Sequence, residues 1–241
     1  MKKIIKKILR LVQFPFILPD YLRFRRSMRN DRFEMRLPDV YPCVKDKTIQ
    51  TGFDRHYVYH TSWAARVLAE MKPERHVDIS SSLFFAGIVS AFVPVDFYDY
   101  RPADIALSGL TSKAGDLMSL PFDDASVVSL SCMHVVEHIG LGRYGDPIDP
   151  DGDIKAAEEL SRILAKDGSL LFVVPLGKEA LIEYNAHRIY SYERVLELFP
   201  TLTLKEFTLI PEHSGDMIRD ADPSLAQHEH YACGCFHFVK K

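Results

Sequence analysis

One stretch near the middle of the chain concentrates the side chains that can do chemistry. It runs from His134 to Asp153 and has the sequence HVVEHIGLGRYGDPIDPDGD. Its first five residues have the spacing H-x-x-E-H, which is one signature of zinc peptidases. Its second half adds glycines and aspartates, which are typical of phosphate-binding and calcium-binding loops. The neighbouring residues must decide among these chemistries.

The neighbouring residues disfavour all three kinds of site. Gly140 and Gly142 should end a helix after about one turn, whereas the peptidase motif needs a longer helix to aim both histidines at one ion. No Lys-Ser or Lys-Thr pair follows the glycines, as a phosphate loop requires. A calcium hand with Gly152 at its sixth position would place Pro147 at the first, ligating position. We therefore predict no metal here, and a loop of about a dozen residues beside a pocket.

The segment HEHYACGCFH, residues 228–237, also resembles a metal-binding spacing. In principle His228, Glu229 or His230 could supply a third ligand to H-x-x-E-H. Cys233 and Cys235 fall on the same face of a predicted strand, because side chains alternate along a strand. We expect these two cysteines to pack in the core.

The elements that must position these residues alternate between helices and short apolar strands. We predict helices at residues 56–71, at about 152–168 with Gly168 as the cap, and at 191–199. Strands are predicted within RHVDIS, VPVDFYDY, DIALSGLTSKAGDL, SVVSLSCM, SLLFVVP, LTLKEFTLI and YACGCFHFV. Continuous apolar strands between helices indicate an α/β fold with a mostly parallel sheet covered on both faces. No helix separates the last two strands, so we expect the final strand to be antiparallel.

Ligands of such sheets bind outside the carboxyl ends of the strands. The residues just past each predicted strand are therefore the candidates for function. They are 78–82, 99–101, 115–117, 134–153 and 175–177.

The composition is that of an ordinary globular protein. Its 241 residues are 47% hydrophobic, and its four cysteines include no CxxC pair. This length suits one α/β domain with an attached segment, and we place the boundary between residues 1–50 and 51–241. Without a disulfide framework, the cytoplasm is the expected location.

The amino-terminal segment differs in charge from the rest. Residues 1–29 hold nine Lys or Arg and one acid, so the remaining body is acidic. We expect no nucleic-acid binding, because the bases are not spread over the body. In a helix, apolar and basic side chains near the start would fall on opposite faces: Ile4, Ile5, Ile8, Leu11 and Val12 against Lys2, Lys3, Lys6, Lys7 and Arg10.

Two partners would suit such a helix. It is too charged for a signal peptide or a membrane span, so we expect it to lie in the plane of an anionic membrane, at its inner face. Docking of the apolar face on the protein's own body or on a second subunit is the alternative. The sequence leaves the oligomeric state open.

The order of motifs in residues 74–240 resembles the class I S-adenosylmethionine-dependent methyltransferases. The resemblance rests on an acid after the first strand, an acid after the second, a Gly-Asp pair, a fourth-strand segment and a Lys-Asp-Gly turn before the fifth strand. These are Asp78, Asp99 (or Asp96), Gly115-Asp116, 120–139 and 165–175. EHIGLGRYGDPIDP further resembles a methyltransferase-like family of unknown function. One departure is the first loop, DISSSLFFAG, which lacks the family's glycines.

The resemblance implies a three-layer Rossmann-like fold and S-adenosyl-L-methionine as cofactor. The implied cofactor-binding residues are Asp78, Ser80, Ser81, Asp99, Asp116, Leu117 and His134. Candidate bases for taking a proton from the acceptor are His138, Asp146 and His187. The candidate acceptor-binding residues are Glu137, Arg143, Tyr144 and Arg188. Capping, turns and ion pairs are the competing roles for several of them.

The predicted activity is transfer of a methyl group to an oxygen of a small polar or glycan-type acceptor. The basic arm suggests an acceptor held at a membrane, such as a lipid-linked sugar. The glycine-poor first loop keeps open a catalytically inactive binding or scaffold protein. A zinc-dependent hydrolase built on H-x-x-E-H is the third hypothesis.

Overall fold

The computed structural model describes residues 2–29 and 32–241, with side chains from residue 11 onward. The chain divides into two compact units, residues 1–53 and residues 54–241. In the first unit, helix α1 (Lys2–Ser27) continues through Pro15 and Pro19. This helix extends well beyond the segment whose alternation predicted it.

We predicted opposed apolar and basic faces for the start of α1. Those faces are formed mainly by the side chains of residues 2–10, which lie outside the described part of the structure. Further along α1, the apolar side chains of Leu11, Phe16 and Phe24 are mostly exposed. Within the described residues, no helix is both long enough and apolar enough to cross a membrane.

The second unit is built on a seven-stranded sheet. Five strands are mutually parallel: β1 (His76–Ile79), β2 (Val95–Asp99), β3 (Leu110–Ala114), β4 (Val127–Met133) and β5 (Leu164–Leu176). A hairpin of β6 (Leu181–Glu183) and β7 (His187–Ile189) follows, then β8 (Leu202–Ile210) and β9 (Ala232–Lys240). The order across the sheet is β3-β2-β1-β4-β5-β9-β8, with β9 antiparallel to both neighbours. The prediction of a mostly parallel sheet with an antiparallel last strand is confirmed.

Helices cover both faces of this sheet. One core cluster joins the sheet to α4 (Gly152–Ile163) and α5 (Tyr192–Leu198). The other joins it to α2 (Arg55–Met71) and α3 (Leu83–Val89), with Trp63 among its largest buried side chains. The three-layer Rossmann-like architecture follows from these two clusters.

Two local features differ from the sequence prediction. Helix α4 ends at Ile163 and β5 begins at once, so Gly168 does not cap the helix. The reason lies at the other end of the chain, where the Lys240 ammonium donates to the carbonyls of Ser161 and Leu164 at 2.7 and 2.8 Å. The β6–β7 hairpin was not predicted, because the short β6 is exposed throughout and carries no buried apolar pattern.

Candidate functional site

A cleft of about 220 Å³ opens at the carboxyl ends of β1, β2, β3 and β4. It is the place where the parallel-sheet argument expects a ligand. The structure brings most of the candidate residues together here: Ser80, Ser81, Asp99, Asp116, Leu117, His134, His138, Tyr144 and Asp146.

Asp99, and not Asp96, is the acid of β2 that faces the cleft. The Asp96 carboxylate accepts hydrogen bonds from Arg75 at 2.9 Å and from Thr111 at 2.5 Å, and it does not line the cleft. Asp99 lies at the cleft wall and accepts a hydrogen bond from the Arg101 backbone N–H at 2.7 Å. Of the two acids, Asp99 is the one placed to accept hydrogen bonds from ligand hydroxyls.

Asp78 lies behind the cleft wall and does not line it, which corrects its expected placement. Its side chain is fully buried, and Oδ1 accepts hydrogen bonds from Ser81 and Ser131. Oδ2 is buried without a partner. Burial raises the pKa of Asp78 to about 7. Asp78 therefore holds the loop after β1 in place through Ser81, and its Oδ2 remains a buried atom without a hydrogen-bond partner.

The glycine-poor loop after β1 still adopts a backbone conformation that usually needs glycine. Ser80 has φ +55°, and its hydroxyl donates to the Tyr98 carbonyl at 3.0 Å. The Ser81 hydroxyl accepts from the Met133 N–H at 3.0 Å while donating to Asp78. The protons of both hydroxyls are thus donated within the fold, so the loop offers a ligand its shape and not a hydroxyl donor from Ser80 or Ser81.

The third wall of the cleft combines a polar turn with an apolar surface. Asp116 accepts from the Met118 N–H at 2.9 Å and so forms an Asx turn. Leu117 is nearly buried and lines the cleft beside it. Tyr98 lies under the preceding Gly115, where a Cβ would be 3.1 Å from the ring.

These walls suit a nucleoside joined to a cationic amino acid. Asp99 can accept from ribose hydroxyls, Asp116 from an exocyclic amine, and Leu117 can pack on an aromatic base. Asp78 lies behind the wall with an unpartnered Oδ2, and a positive charge nearby would stabilise its ionised form against the burial that raises its pKa to about 7. The residues present therefore fit S-adenosylmethionine.

The two histidines of H-x-x-E-H have different partners. His134 follows β4 with φ +56°, and Val136–His138 form only a short 3-10 helix. His134 Nδ1 is 2.9 Å from Glu137 Oε1, whereas His138 Nδ1 is 2.8 Å from the Ala186 carbonyl. A peptidase helix is therefore not formed.

Glu137 does not present a free carboxylate to an acceptor, contrary to expectation. Its side chain is only 1% exposed, and its bond to His134 fixes the imidazole ring. The role that this geometry gives Glu137 is to orient His134.

His138 has the geometry of a general base. A carbonyl can only accept, so the 2.8 Å contact with Ala186, which is shorter than the 3.3 Å contact of Nδ1 with the Arg143 guanidinium, places the ring proton on Nδ1 and leaves Nε2 as an acceptor in the neutral ring. Burial lowers the pKa of His138, which keeps the ring neutral near pH 7. His138 also lines both the cleft and a neighbouring second cavity.

Asp146 is a structural carboxylate rather than a base. It accepts from the backbone N–H groups of Gly140, Gly142 and Tyr144 at 3.0 to 3.3 Å. Burial raises the pKa of Asp146, but the backbone donors lower it by more, so the net shift is downward. A carboxylate held in this way is a weak proton acceptor.

Arg188 is likewise committed to the fold, which corrects its assignment to the acceptor. It is 5% exposed and donates to the carbonyls of Ile139 and Pro150 at 2.7 and 3.1 Å, the two ends of the loop after β4. It also lies 3.6 Å from Asp153. The loop is therefore a braced wall.

The second cavity, of about 450 Å³, adjoins the cleft through residues that line both: Tyr57, His134, His138 and Tyr144. Arg143 and His187 line it as well. The guanidinium carbons of Arg101 and Arg143 lie 4.9 and 5.1 Å from the Tyr144 ring centre. His187 Nε2 is 3.2 Å from Glu183 Oε2 but makes no hydrogen bond of acceptable geometry. The rim between the two cavities is therefore aromatic and basic.

Three residues of this region were missed by the sequence prediction. His56 and Tyr57 open α2, and Tyr231 precedes β9, yet the rings of His56 and Tyr57 stack on His134, and Tyr231 stacks on His56. Burial lowers the pKa of His56 to about 4. The only signal was the aromatic and histidine content of HYVYH, which nothing in the sequence connects to His134.

Solved structures share this architecture. The chain aligns over 78% of its length with 91% of a chain from the Haloferax volcanii complex between the methyltransferase activator Trm112 and a candidate methyltransferase, at 20% identity and TM-score 0.52. A candidate methyltransferase from Bacillus halodurans aligns over 98% of its chain and 75% of this one, at 14% identity and TM-score 0.52. The protein has the class I methyltransferase fold.

Further comparisons agree on the fold and leave the substrate open. A candidate sarcosine dimethylglycine methyltransferase from Galdieria sulphuraria aligns over 85% of its chain and 75% of this one, at 15% identity and TM-score 0.52. Residues 113–230 match the family described as Caenorhabditis protein of unknown function, DUF268. The matched range includes EHIGLGRYGDPIDP, and the match confirms the resemblance of that segment to a family of unknown function. No curated protein sequence matches the chain.

Proposed function

We propose that this protein transfers a methyl group from S-adenosylmethionine to an oxygen of a small polar or glycan-type acceptor. The observation that carries the proposal is the cleft at the carboxyl ends of the strands, which is lined by Asp99 and Asp116 at two strand ends and by the apolar side chain of Leu117. The sulfonium supplies an activated methyl group when the cofactor is bound.

The chain's own contribution is positioning and proton transfer. Alignment of acceptor and methyl group supplies most of the rate in such a transfer. His138 Nε2 accepts the hydroxyl proton of the acceptor, and an electron pair of the acceptor oxygen forms the new O–CH₃ bond as the sulfonium–methyl bond breaks and leaves its electron pair on sulfur. His187, on the wall of the second cavity, is the alternative base.

The second cavity is the proposed acceptor site. Arg143 and Tyr144 on its wall favour an acceptor with polar or anionic groups, because a guanidinium binds carboxylates and an aromatic ring packs on the apolar face of a sugar. The braced loop from Ile139 to Pro150 fixes this wall before the acceptor arrives.

Thermal unfolding with S-adenosylhomocysteine tests the proposal. The nucleoside at 100 times its dissociation constant should add about 2.7 kcal/mol to the free energy of unfolding. Asp99→Ala should weaken binding roughly 100-fold, the effect of losing about 2.7 kcal/mol of hydroxyl hydrogen bonds. Asp96→Ala, on the same strand but outside the cleft, is the matched control and should bind normally.

Three outcomes separate the hypotheses. No stabilisation of the wild type by the nucleoside would reject the methyltransferase proposal. Binding without transfer to any acceptor pool would favour a scaffold protein, which the glycine-poor first loop motivates. Hydrolysis that depends on both histidines of H-x-x-E-H would support the zinc hydrolase.

The location at an anionic membrane surface is a separate part of the proposal. It is supported by the exposed apolar residues of α1 and by Arg25 and Arg26 in its last turn. Full-length protein should co-sediment with vesicles containing anionic lipid, and Arg25→Glu with Arg26→Glu should reduce the bound fraction. Lys166→Glu with Lys178→Glu, the same charge change in the other unit, should not. Equal binding of both double variants would contradict this part.

A further inference from the structure

Three metal-binding side chains meet at the second cavity. They are His56 at the start of α2, His134 after β4 and Cys233 in β9. One ligand atom of each lies within 4.8 Å of the other two. The two histidines line the cavity, and Cys233 is fully buried.

The geometry around His134 is that of a metal-binding imidazole. Its Nε2 is 3.5 Å from Cys233 Sγ, and its Nδ1 is 2.9 Å from Glu137 Oε1. Zinc bonds of about 2.0–2.1 Å to nitrogen and 2.3 Å to sulfur, at a tetrahedral angle, separate the two ligand atoms by about 3.5 Å. Histidine ligands commonly donate their other N–H to a carboxylate, which fixes the ring.

A hydrogen bond between Cys233 Sγ and His134 would give a similar distance, and a protonated His134 would then pair with Glu137 Oε1, but Glu137 Oε2 would still be buried without a partner. The Glu137 side chain is only 1% exposed. A buried carboxylate is costly unless a positive charge compensates it. A divalent ion on His134 and the Cys233 thiolate would balance both negative charges.

A second unsatisfied group lies beside the same ring. His60 is fully buried, its Nε2 has no partner, and its ring centre is 4.9 Å from that of His134. Polar groups without partners are rare in protein interiors. Two of them in contact with His134 indicate that something polar or charged is bound there.

We propose that His56, His134 and Cys233 bind a zinc-class divalent ion. Two imidazoles and a thiolate favour zinc over magnesium or calcium, which prefer oxygen ligands. Binding removes the proton of the Cys233 thiol, which leaves to solvent as the metal–sulfur bond forms. A site with three protein ligands keeps a fourth position for water or substrate. The metal-like spacings of H-x-x-E-H and of residues 228–237 did not predict this ligand set, because His134 and Cys233 are 99 residues apart and no spacing connects either of them to His56.

Metal analysis of untagged full-length protein tests the proposal. After incubation with zinc alone and removal of free metal, the wild type should retain one zinc per chain by mass spectrometry. His56→Ala and Cys233→Ala should each lower the retained zinc at least tenfold. Cys235→Ala is the matched control, because Cys235 has the same burial on the same strand and lies outside the ligand set; it should retain the metal.

Cobalt substitution gives a readout that a structural role of the thiol would not produce. The wild type and Cys235→Ala should show a thiolate-to-cobalt absorption band, and Cys233→Ala should lack it. If Cys233→Ala fails to fold by circular dichroism, His56→Ala, at the cavity wall, decides. No zinc in the wild type, zinc retained in His56→Ala, or zinc lost in Cys235→Ala would overturn the assignment. Metal-free protein that still binds S-adenosylhomocysteine separates this result from the fate of the methyltransferase proposal.

Discussion

The two halves of the candidate site are assembled in different ways. The nucleoside half, made of Ser80, Asp99, Asp116 and Leu117, takes each residue from within two or three positions of a strand's carboxyl end. The histidine half gathers its residues from the start of α2, the segment 133–138 at the end of β4, the hairpin and the segment before β9; they are His56, His134, His138, His187 and Tyr231. The first half follows from the sheet alone, whereas the second depends on how distant elements pack.

This difference should also separate binding from chemistry. We expect the nucleoside half to bind the cofactor and the histidine half to act on the acceptor. The variants below test this division of roles and are ordered by the size of the expected effect, with the largest first.

Replacement of the proposed base should have the largest effect. His138→Gln should lower the rate of methyl transfer roughly 10²–10⁴-fold, because the acceptor hydroxyl loses its proton acceptor. Affinity for S-adenosylhomocysteine, measured by calorimetry, should change less than about threefold, the scale of a lost peripheral contact. His187→Gln is the comparison variant. A larger loss of rate in His187→Gln would move the base to His187, and a large loss of nucleoside affinity in His138→Gln would break the division.

Asp78, which is buried behind the nucleoside half, should make the stability of the fold depend on pH. Its pKa in the folded protein is about 7 because of burial, against about 3.9 in an unfolded chain. The fold favours the protonated acid, so the free energy of unfolding should fall as pH rises from about 4 to about 7, by up to about 4 kcal/mol. Asp78→Asn should flatten denaturant-derived stability over this range.

Asp96→Asn is the control for this titration. Burial raises the pKa of Asp96, but Thr111, Arg75 and Lys113 together lower it by more, so the net shift is downward. Asp96 therefore contributes stability as pH rises, and its removal should change the profile in the opposite sense. An unchanged profile in Asp78→Asn would contradict the burial argument.

The smallest effect is expected at the glycine-poor loop. Ser80→Gly removes the strain of φ +55° but also loses the 3.0 Å hydrogen bond to Tyr98 and adds chain entropy. At about 1 kcal/mol each, one gain and two losses leave Ser80→Gly less stable than wild type by only about 1 kcal/mol. Ser80→Val should destabilise more, because a branched side chain fits this conformation poorly. Loss of nucleoside binding in Ser80→Gly would show that the serine hydroxyl, not the loop shape, contacts the ligand.

Much of the fold could be predicted because its signals are local. Apolar runs predicted most strands of the sheet, although only Leu110 of β3 is buried, and the lack of a helical pattern between the last two predicted strands indicated the antiparallel direction of β9. The end of α4 could not be predicted, since Lys240 caps it from the far end of the chain.

The site was predictable only where a residue's role follows from its place after a strand. Asp99 and Leu117 are in the cleft for that reason. Arg188 and Asp146 also follow the strands, but their side chains are taken up by backbone groups of the loop after β4, which no spacing reveals. His56 and Cys233 reach His134 through packing alone.

A crystal structure of the protein with S-adenosylhomocysteine would test the central claim most directly. The account predicts the ribose within hydrogen-bond distance of Asp99, the adenine against Leu117 with its amine at Asp116, and the sulfur facing His138 across the junction with the second cavity. A nucleoside bound elsewhere, or a cleft that stays empty at saturating nucleoside, would contradict it.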